Sequence, residues 1–364
     1  MKEKLFLSPG KYIQGTDLME HLKDYIRPLG TRWQVLTSRR NIQRLQSVWS
    51  SLLEDPELEV YQEIFQGECS FAQIEQTAKA CGEHNVEVVI GIGGGKILDT
   101  AKVAANQLGL PVVIIPTVAS SDAPCSALAV VYKEDGSLDE LLRLPSNPQL
   151  VLVDLKVICQ APARYLAAGI ADALATYYEM KECWEKDADN FAGGRITHAA
   201  KAIAETCREI ILEHGYQAYL SVQKQCVTRA LEDVTEANIL LSGIGFESGG
   251  ICAAHPINNG LALLDETKAL MHGEKVAFAL ICQLFLSGEK EAEIRHIIEL
   301  FAQLHLPVTL KQLHLSKITQ EQLALIGRIA AEDPCTKNLP FRADERAIMD
   351  AVCFADAFGE MCMA

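Results

Sequence analysis

Two rhythms of apolar residues divide this chain. Up to about residue 160, short apolar runs alternate with segments of helical spacing. Helical patterns over 16–27, 41–53, 70–84 and 96–108 alternate with strand-like runs at 32–37, 58–65, 86–90 and 111–115. Strands that take turns with helices of this length predict βαβ units and a parallel sheet. After Ser120 the rhythm changes. Runs at 126–132 and 137–142 flank Glu134-Asp135-Gly136, a turn in which glycine can take positive φ, and predict a hairpin. One more apolar strand is expected at 149–154. From Ala161 onward the spacing is helical and rich in alanine, with Pro162 placed as a first-turn proline opening a helix through Met180. The pattern predicts an α/β domain over residues 1–160, then an all-helical domain over 161–364, joined by a short linker.

Composition narrows the partners. The 364 residues carry a formal charge of −15, and the longest basic cluster is Arg39-Arg40, so a nucleic-acid surface is not expected. Hydrophobic residues make up 49% and charged residues 22%, a balance that can fill two cores and leaves no compositionally disordered tract. Twelve cysteines are scattered singly with no Cys-x-x-Cys, and the first ten residues hold only a three-residue apolar run. With no apolar window near the roughly 18 residues of a membrane span, the expectation is a soluble cytoplasmic protein with reduced thiols. Its partner should be a small molecule.

The most informative local motif is Gly91-Ile-Gly93-Gly94-Gly95-Lys96, which closes a buried run and opens a helix. Glycines admit a pyrophosphate close to the backbone, and the free N–H groups of a helix start attract it. The spacing is neither the dinucleotide G-x-G-x-x-G nor a Walker A loop, because Lys96 precedes Ile97. Asp99, one turn into the helix, fits a turn-bonding residue or a cofactor contact equally.

A second stretch, Gly249 to Glu274, brings His255 and His272 into an apolar region. Imidazole suits zinc or iron. Seventeen residues apart, the two make no compact metal signature, and a site would need a third ligand from elsewhere. Taken by themselves they read more readily as structural histidines bonded to nearby carbonyls.

Taken together, these motifs resemble the iron- or zinc-dependent alcohol dehydrogenase family, specifically its glycerol-oxidising branch. The resemblance is carried by Ser8–Gly15, Gly91–Lys96 with Leu98–Lys102, Pro116–Ser126, Ala161–Ala175, Gly243–Gly250 and His272–Phe278, in this order. It implies an N-terminal dinucleotide-binding domain and a helical metal- and substrate-binding domain, the arrangement shared with dehydroquinate synthase. It also supplies a third ligand, Asp172, beside His255 and His272, three residues that would be catalytic. Zn2+ is the metal implied, and Fe2+ suits the same ligands. Asp122, and His255 again, would contact substrate. Ser38, Gly94, Gly95, Lys96, Asp99, Thr117, Ser120, Ser126, Leu128 and Tyr132 would line NAD. Strand packing for Leu128 and Tyr132, and a turn role for Asp122, are the plainer readings of those positions.

The expected activity is oxidation of glycerol and related vicinal diols to the ketone by a homo-oligomer. The rival enzyme reading is an NAD(P)-dependent dehydrogenase or reductase of the same fold acting on hydroxycarboxylates or other alcohols. More distant are a dehydroquinate synthase-like lyase and a non-catalytic nucleotide-binding protein. Three positions depart from the family pattern. Ser38, followed by Arg39-Arg40, stands where relatives place an acid on the adenosine ribose, which opens the cofactor site to NADP. Pro256 follows His255 directly, so that histidine is expected at a helix start or kink. Asn258 stands where relatives often carry a second histidine, and an amide cannot titrate.

Overall fold

The computed structural model describes residues 2–133, 136 and 138–364. Glu134 and Asp135 of the expected hairpin turn, and Ser137, lie outside the described residues. The chain divides into two compact units: one of residues 8–119 and 123–161, the other of 162–364 together with the N-terminal arm and Ser120–Asp122.

The first unit runs β1 (Tyr12–Gly15), α1 (Leu22–Ile26), β2 (Arg32–Thr37), α2 (Arg39–Arg44), α3 (Gln46–Leu53), β3 (Glu59–Ile64) and α4 (Phe71–Glu83). It continues through β4 (Val88–Gly93), α5 (Gly95–Leu108), β5 (Val112–Pro116), β6 (Leu128–Tyr132), β7 (Leu138–Arg143), β8 (Leu150–Asp154) and α6 (Leu155–Cys159). Six strands form a sheet in the order β1-β8-β5-β4-β2-β3, every neighbouring pair parallel. Central strands covered on both faces read as unbroken apolar runs, which is why Val88–Gly93 and Val112–Pro116 are buried at every position. One core packs Trp33, Val35, Ile90, Ile92, Val113 and Leu152 against Leu22, Ile26 and Trp49. The antiparallel pair β6–β7 stands apart from the sheet and closes a smaller core with Ile74, Val103 and Ala104. The strand β1 was not evident from the pattern, being four half-buried residues that pair with β8 from Tyr12↔Val151 onward.

The second unit holds α7 (Ala163–Lys186), α8 (His198–Gln223), α9 (Arg229–Glu236), α10 (Ser242–Gly249) and α11 (Ala254–Ala262). It ends with α12 (His272–Leu286), α13 (Glu291–Gln303), α14 (Gln320–Glu332) and α15 (Glu345–Met363). Five π-helical residues, Ala237–Leu241, lead from α9 into α10. No single helix among the described residues is long and apolar enough to cross a membrane.

Pro162 sits at the cap position with ψ 134°, so it precedes α7 instead of forming its first turn. The helix then runs six residues past Met180, because buried Glu182 and Cys183 keep facing the interior until Asp187 turns left-handed at φ 55°. The N-terminal arm also departs from the expected 1–160 domain. Its backbone pairs with the 190–195 loop (Leu5 N–H to Arg195 O, 3.2 Å; Arg195 N–H to Glu3 O, 2.8 Å). The Leu7 N–H donates to Ser248 Oγ at 2.9 Å, which keeps the arm with the helices.

Gly273 decides how closely α12 approaches α7. A Cβ there would overlap the Ala168 carbonyl oxygen, which is helix backbone and cannot yield. Gly273→Ala is therefore expected to destabilise the protein by roughly 1–3 kcal/mol in denaturant unfolding. Gly95→Ala, where a Cβ would meet nothing within 4 Å, should leave stability unchanged.

Candidate active site

In the α/β unit, β2 and β4 are neighbours whose chains leave in opposite directions along the sheet. Such a switch point opens a crevice at the strands' C-terminal ends, where doubly wound folds take their ligands. The two ends are locked together, since Thr37 Oγ1 (2.9 Å) and Asn41 Nδ2 (3.2 Å) both donate to Ile92 O. The four glycines of the loop divide into two kinds. Added Cβ atoms at Gly91 and Gly93 would meet Ala101 at 2.8 Å and Ile97 at 2.5 Å, so these two bring α5 down onto β4. Gly94 would meet only Val118 at 3.7 Å, and Gly95 nothing. No internal contact accounts for these two, yet they open a 14-residue helix with no side-chain cap and no acid in its first turn. Free N–H groups and open space at one point fit a pyrophosphate.

Around that loop the candidate residues separate. Ser38 accepts from the Asn41 N–H at 3.2 Å and caps α2, with Arg39 and Arg40 exposed beside it. Lys96 pairs with Glu68 (2.5 Å) at the surface. Asp99 faces inward, accepting from the Val130 N–H (3.0 Å) and pairing with Lys102 (2.8 Å), so its side chain holds β6 in place. Lys102, only 1% exposed, donates to Ala123 O (2.9 Å), Ser126 O (3.4 Å) and Leu128 O. This ammonium is the organiser of the 123–128 segment, and its pattern in the sequence gave no sign of that. Ser126 turns its own hydroxyl to Ala123 O, and Thr117 is buried with its N–H on Gly93 O at 2.9 Å. Burial first, then Asp99, pushes the Tyr132 phenol up to about 12. Ser120 groups with the helical unit.

In the helical unit, Asp172 on α7, His255 on α11 and His272 on α12 converge, with one ligand atom from each within 4.8 Å of the others. His255 Nε2 lies 3.4 Å and His272 Nε2 3.2 Å from the same carboxylate oxygen, Oδ1 of Asp172. That oxygen is buried and lacks any hydrogen bond of acceptable geometry. Burial acts to raise the Asp172 pKa, but the two histidines outweigh it and hold the carboxyl below its usual range. One orphaned oxygen faced by two imidazole nitrogens fits a shared divalent cation, and the N/O donor set suits zinc or iron. Side-chain exposure rises from 2% at Asp172 through 15% at His255 to 47% at His272, so the cluster is open on the His272 side.

Local sequence places both histidines at helix starts. The first-turn N–H groups of α11 have partners: Glu179 Oε1 accepts from Cys252 (3.0 Å) and His255 (3.1 Å), and Gln283 Oε1 from Ala253 (2.9 Å) and Ala254 (2.7 Å). Pro256 falls in this same turn, where its missing N–H leaves nothing unpaired. The expected helix start at His255 is what the structure has. At α12, Glu274 reaches back to the Met271 N–H (2.8 Å) and pairs with Arg164 (2.6 Å). Asp122 joins the same unit, where Ser242 Oγ donates to it at 3.3 Å and Thr176 Oγ1 meets Ser242 at 2.9 Å. Burial, then the Asp172 charge, raises the Asp122 pKa well above the ordinary range against His255 and the Ser242 hydroxyl. Sequence reasoning missed Glu179, which donates nothing and orients His255 through Nδ1 at 2.5 Å. Its signal was spacing, since Glu179 follows Asp172 by two helical turns on one face.

A parallel sheet with a glycine loop at its switch point, joined in one chain to a helical unit bearing an Asp-His-His cluster, defines the class. A family model for iron-containing alcohol dehydrogenases matches residues 9–155, and the chain belongs to that family of oxidoreductases. Within it, the chain is 42% identical over 359 residues to a glycerol dehydrogenase from Escherichia coli O6:H1, covering 98% of each. The crystal structure of glycerol dehydrogenase from Schizosaccharomyces pombe superposes with a TM-score of 0.94 at 34% identity, covering 100% of this chain and 93% of that one. A glycolaldehyde reductase from Halobacterium salinarum is 38% identical over 98% of each chain. The resemblance read from the motifs is thereby borne out.

Removing the Lys102 ammonium leaves Asp99 buried without its counter-charge. Lys102→Met is expected to cost about 3–5 kcal/mol in unfolding experiments. A conservative surface change such as Lys96→Met should leave stability unaltered.

Proposed function

We propose that the protein catalyses metal-dependent oxidation of glycerol to dihydroxyacetone, with hydride passing to NAD, and that related vicinal diols are further substrates. The observation that carries this reading is the convergence of Asp172, His255 and His272 on one buried, unpaired oxygen. These three residues would hold Zn2+, with Fe2+ accepted by the same donors. A divalent cation there supplies Lewis acidity that lowers the pKa of a bound hydroxyl, as it lowers that of water to about 7. Asp122 orients the polyol's hydroxyls, with the Ser242 hydroxyl holding its carboxyl in place, while His255, whose two ring nitrogens face Glu179 and Asp172, acts on substrate through the cation it would hold. The name of the Halobacterium relative favours a second direction for the same site, reduction of a small hydroxyaldehyde.

The α/β unit is the dinucleotide-binding domain in this reading, and the helical unit the metal- and substrate-binding one. Gly94 and Gly95 receive the pyrophosphate at the start of α5, while Thr117, Ser126, Leu128 and Tyr132 line the cofactor. Lys96 and Ser38 flank it, and Asp99 acts indirectly by holding β6. Without a carboxylate after β2, and with Arg39 and Arg40 exposed there, NADP is accepted beside NAD. A cytoplasmic homo-oligomer completes the proposal, supported by exposed apolar side chains on α15 such as Phe354 and Met361.

NADH formation with glycerol should appear with zinc, vanish with a chelator and return when zinc is restored. No glycerol-dependent, chelator-sensitive signal would remove the reading. Asp172→Ala should lose zinc while still binding NADH, and full activity in that variant would remove the ligand assignment. For the cofactor, kcat/KM is compared between NAD and NADP, and a strict NAD preference would contradict the role given to Arg39 and Arg40.

A further inference from the structure

We propose that Glu179 and Asn258 are positioning residues that fix the two imidazoles as Nε2 ligands, Glu179 through a carboxylate and Asn258 through its amide oxygen. The inference rests on the metal site put forward above. A histidine binds a cation through the ring nitrogen that carries no hydrogen, and the partner of the other nitrogen decides which one that is.

For His255 the assignment follows from the contacts. Its Nδ1 lies 2.5 Å from Glu179 Oε2, and Glu179 is fully buried. The carboxylate accepts, so a hydrogen sits on Nδ1, and Nε2, which faces Asp172 Oδ1, is the nitrogen left to a cation. The other oxygen of Glu179 accepts from the Cys252 and His255 N–H groups. Ring orientation and helix start therefore depend on one side chain.

For His272 the partner is Asn258 on α11, whose amide lies 3.3 Å from Nδ1. With Nδ2 nearest the ring, Nδ1 must accept, Nε2 must carry the hydrogen, and the buried Asn258 Oδ1 has no hydrogen-bond partner. Turning the amide by half a revolution exchanges its two ends, which differ only in their hydrogen-bonding character. The orphaned oxygen then accepts from Nδ1–H, and Nε2 is freed 3.2 Å from Asp172 Oδ1. The rotation gives the buried oxygen a donor. Asn258, a departure from the family pattern in the sequence, thus has a defined task that needs no titration.

Zinc affinity of the full-length protein, measured by competition with a chromogenic chelator at one pH, tests this. NADH binding and melting of the zinc-free protein report on folding. Asn258→Leu keeps the branched shape and removes the acceptor, and is expected to weaken zinc binding about 10- to 100-fold. Asn258→Asp supplies an obligate acceptor and should hold zinc at least as tightly as the parent protein. A packing role predicts the opposite order, because a carboxylate is costlier to bury than an isosteric leucine. Glu179→Gln should weaken zinc by a similar factor, since its one amide oxygen replaces two carboxylate oxygens. Unchanged affinity in Asn258→Leu and Glu179→Gln, or leucine outperforming aspartate at 258, overturns the proposal. If the parent protein binds no zinc, the metal reading fails first and takes this inference with it.

Discussion

A carboxylate can be buried in an alanine-rich helix only if positive charge or hydrogen donors reach it. At Asp172 Oδ1 the Nε2 atoms of His255 and His272 stand at 3.4 and 3.2 Å, and no hydrogen bond forms. Much of the helical unit serves to keep those three groups facing one another. Gly273 lets α12 lie against the backbone of α7, which carries Asp172. Glu179, on the same face of α7, ties down the start of α11 and the ring of His255. Glu274 caps α12 directly behind His272. The two histidines stand at helix starts and Asp172 within α7, so all three ligands are carried on helices.

The α/β unit solves a different problem, that of leaving room. Gly91 and Gly93 are required by contacts within the protein, whereas Gly94 and Gly95 are not. A residue type that lowers backbone order without an internal packing reason points to an external occupant. Lys102 complements this by holding the 123–128 segment through three carbonyl oxygens and the Asp99 carboxylate. The rigid wall it builds carries Ser126 and Leu128, two of the residues assigned to the cofactor.

Much of this was legible in the chain itself. Strands such as Arg32–Thr37 and helices such as Phe71–Glu83 follow from apolar period and from caps like Ser70. The glycine loop raised the expectation of an anion site through its position between a buried strand and a helix. The histidine pair did not announce a metal, because the third ligand lies 83 residues before His255 in sequence. Only the family resemblance joined Asp172 to them. What stayed hidden were interactions made by ordinary residues in tertiary contact: Glu179 on His255, Lys102 under the hairpin, the arm on the 190–195 loop. Alternation and spacing describe which face a residue occupies, and they carry no information about which distant group waits there.

X-ray absorption at the zinc edge of the loaded protein tests the central claim most directly. A first shell of nitrogen and oxygen only is expected, at about 2.0–2.2 Å, with the outer-shell scattering of two imidazoles. Twelve cysteines offer zinc an alternative, and scattering from sulfur at about 2.3 Å would contradict the assignment of the metal to Asp172, His255 and His272.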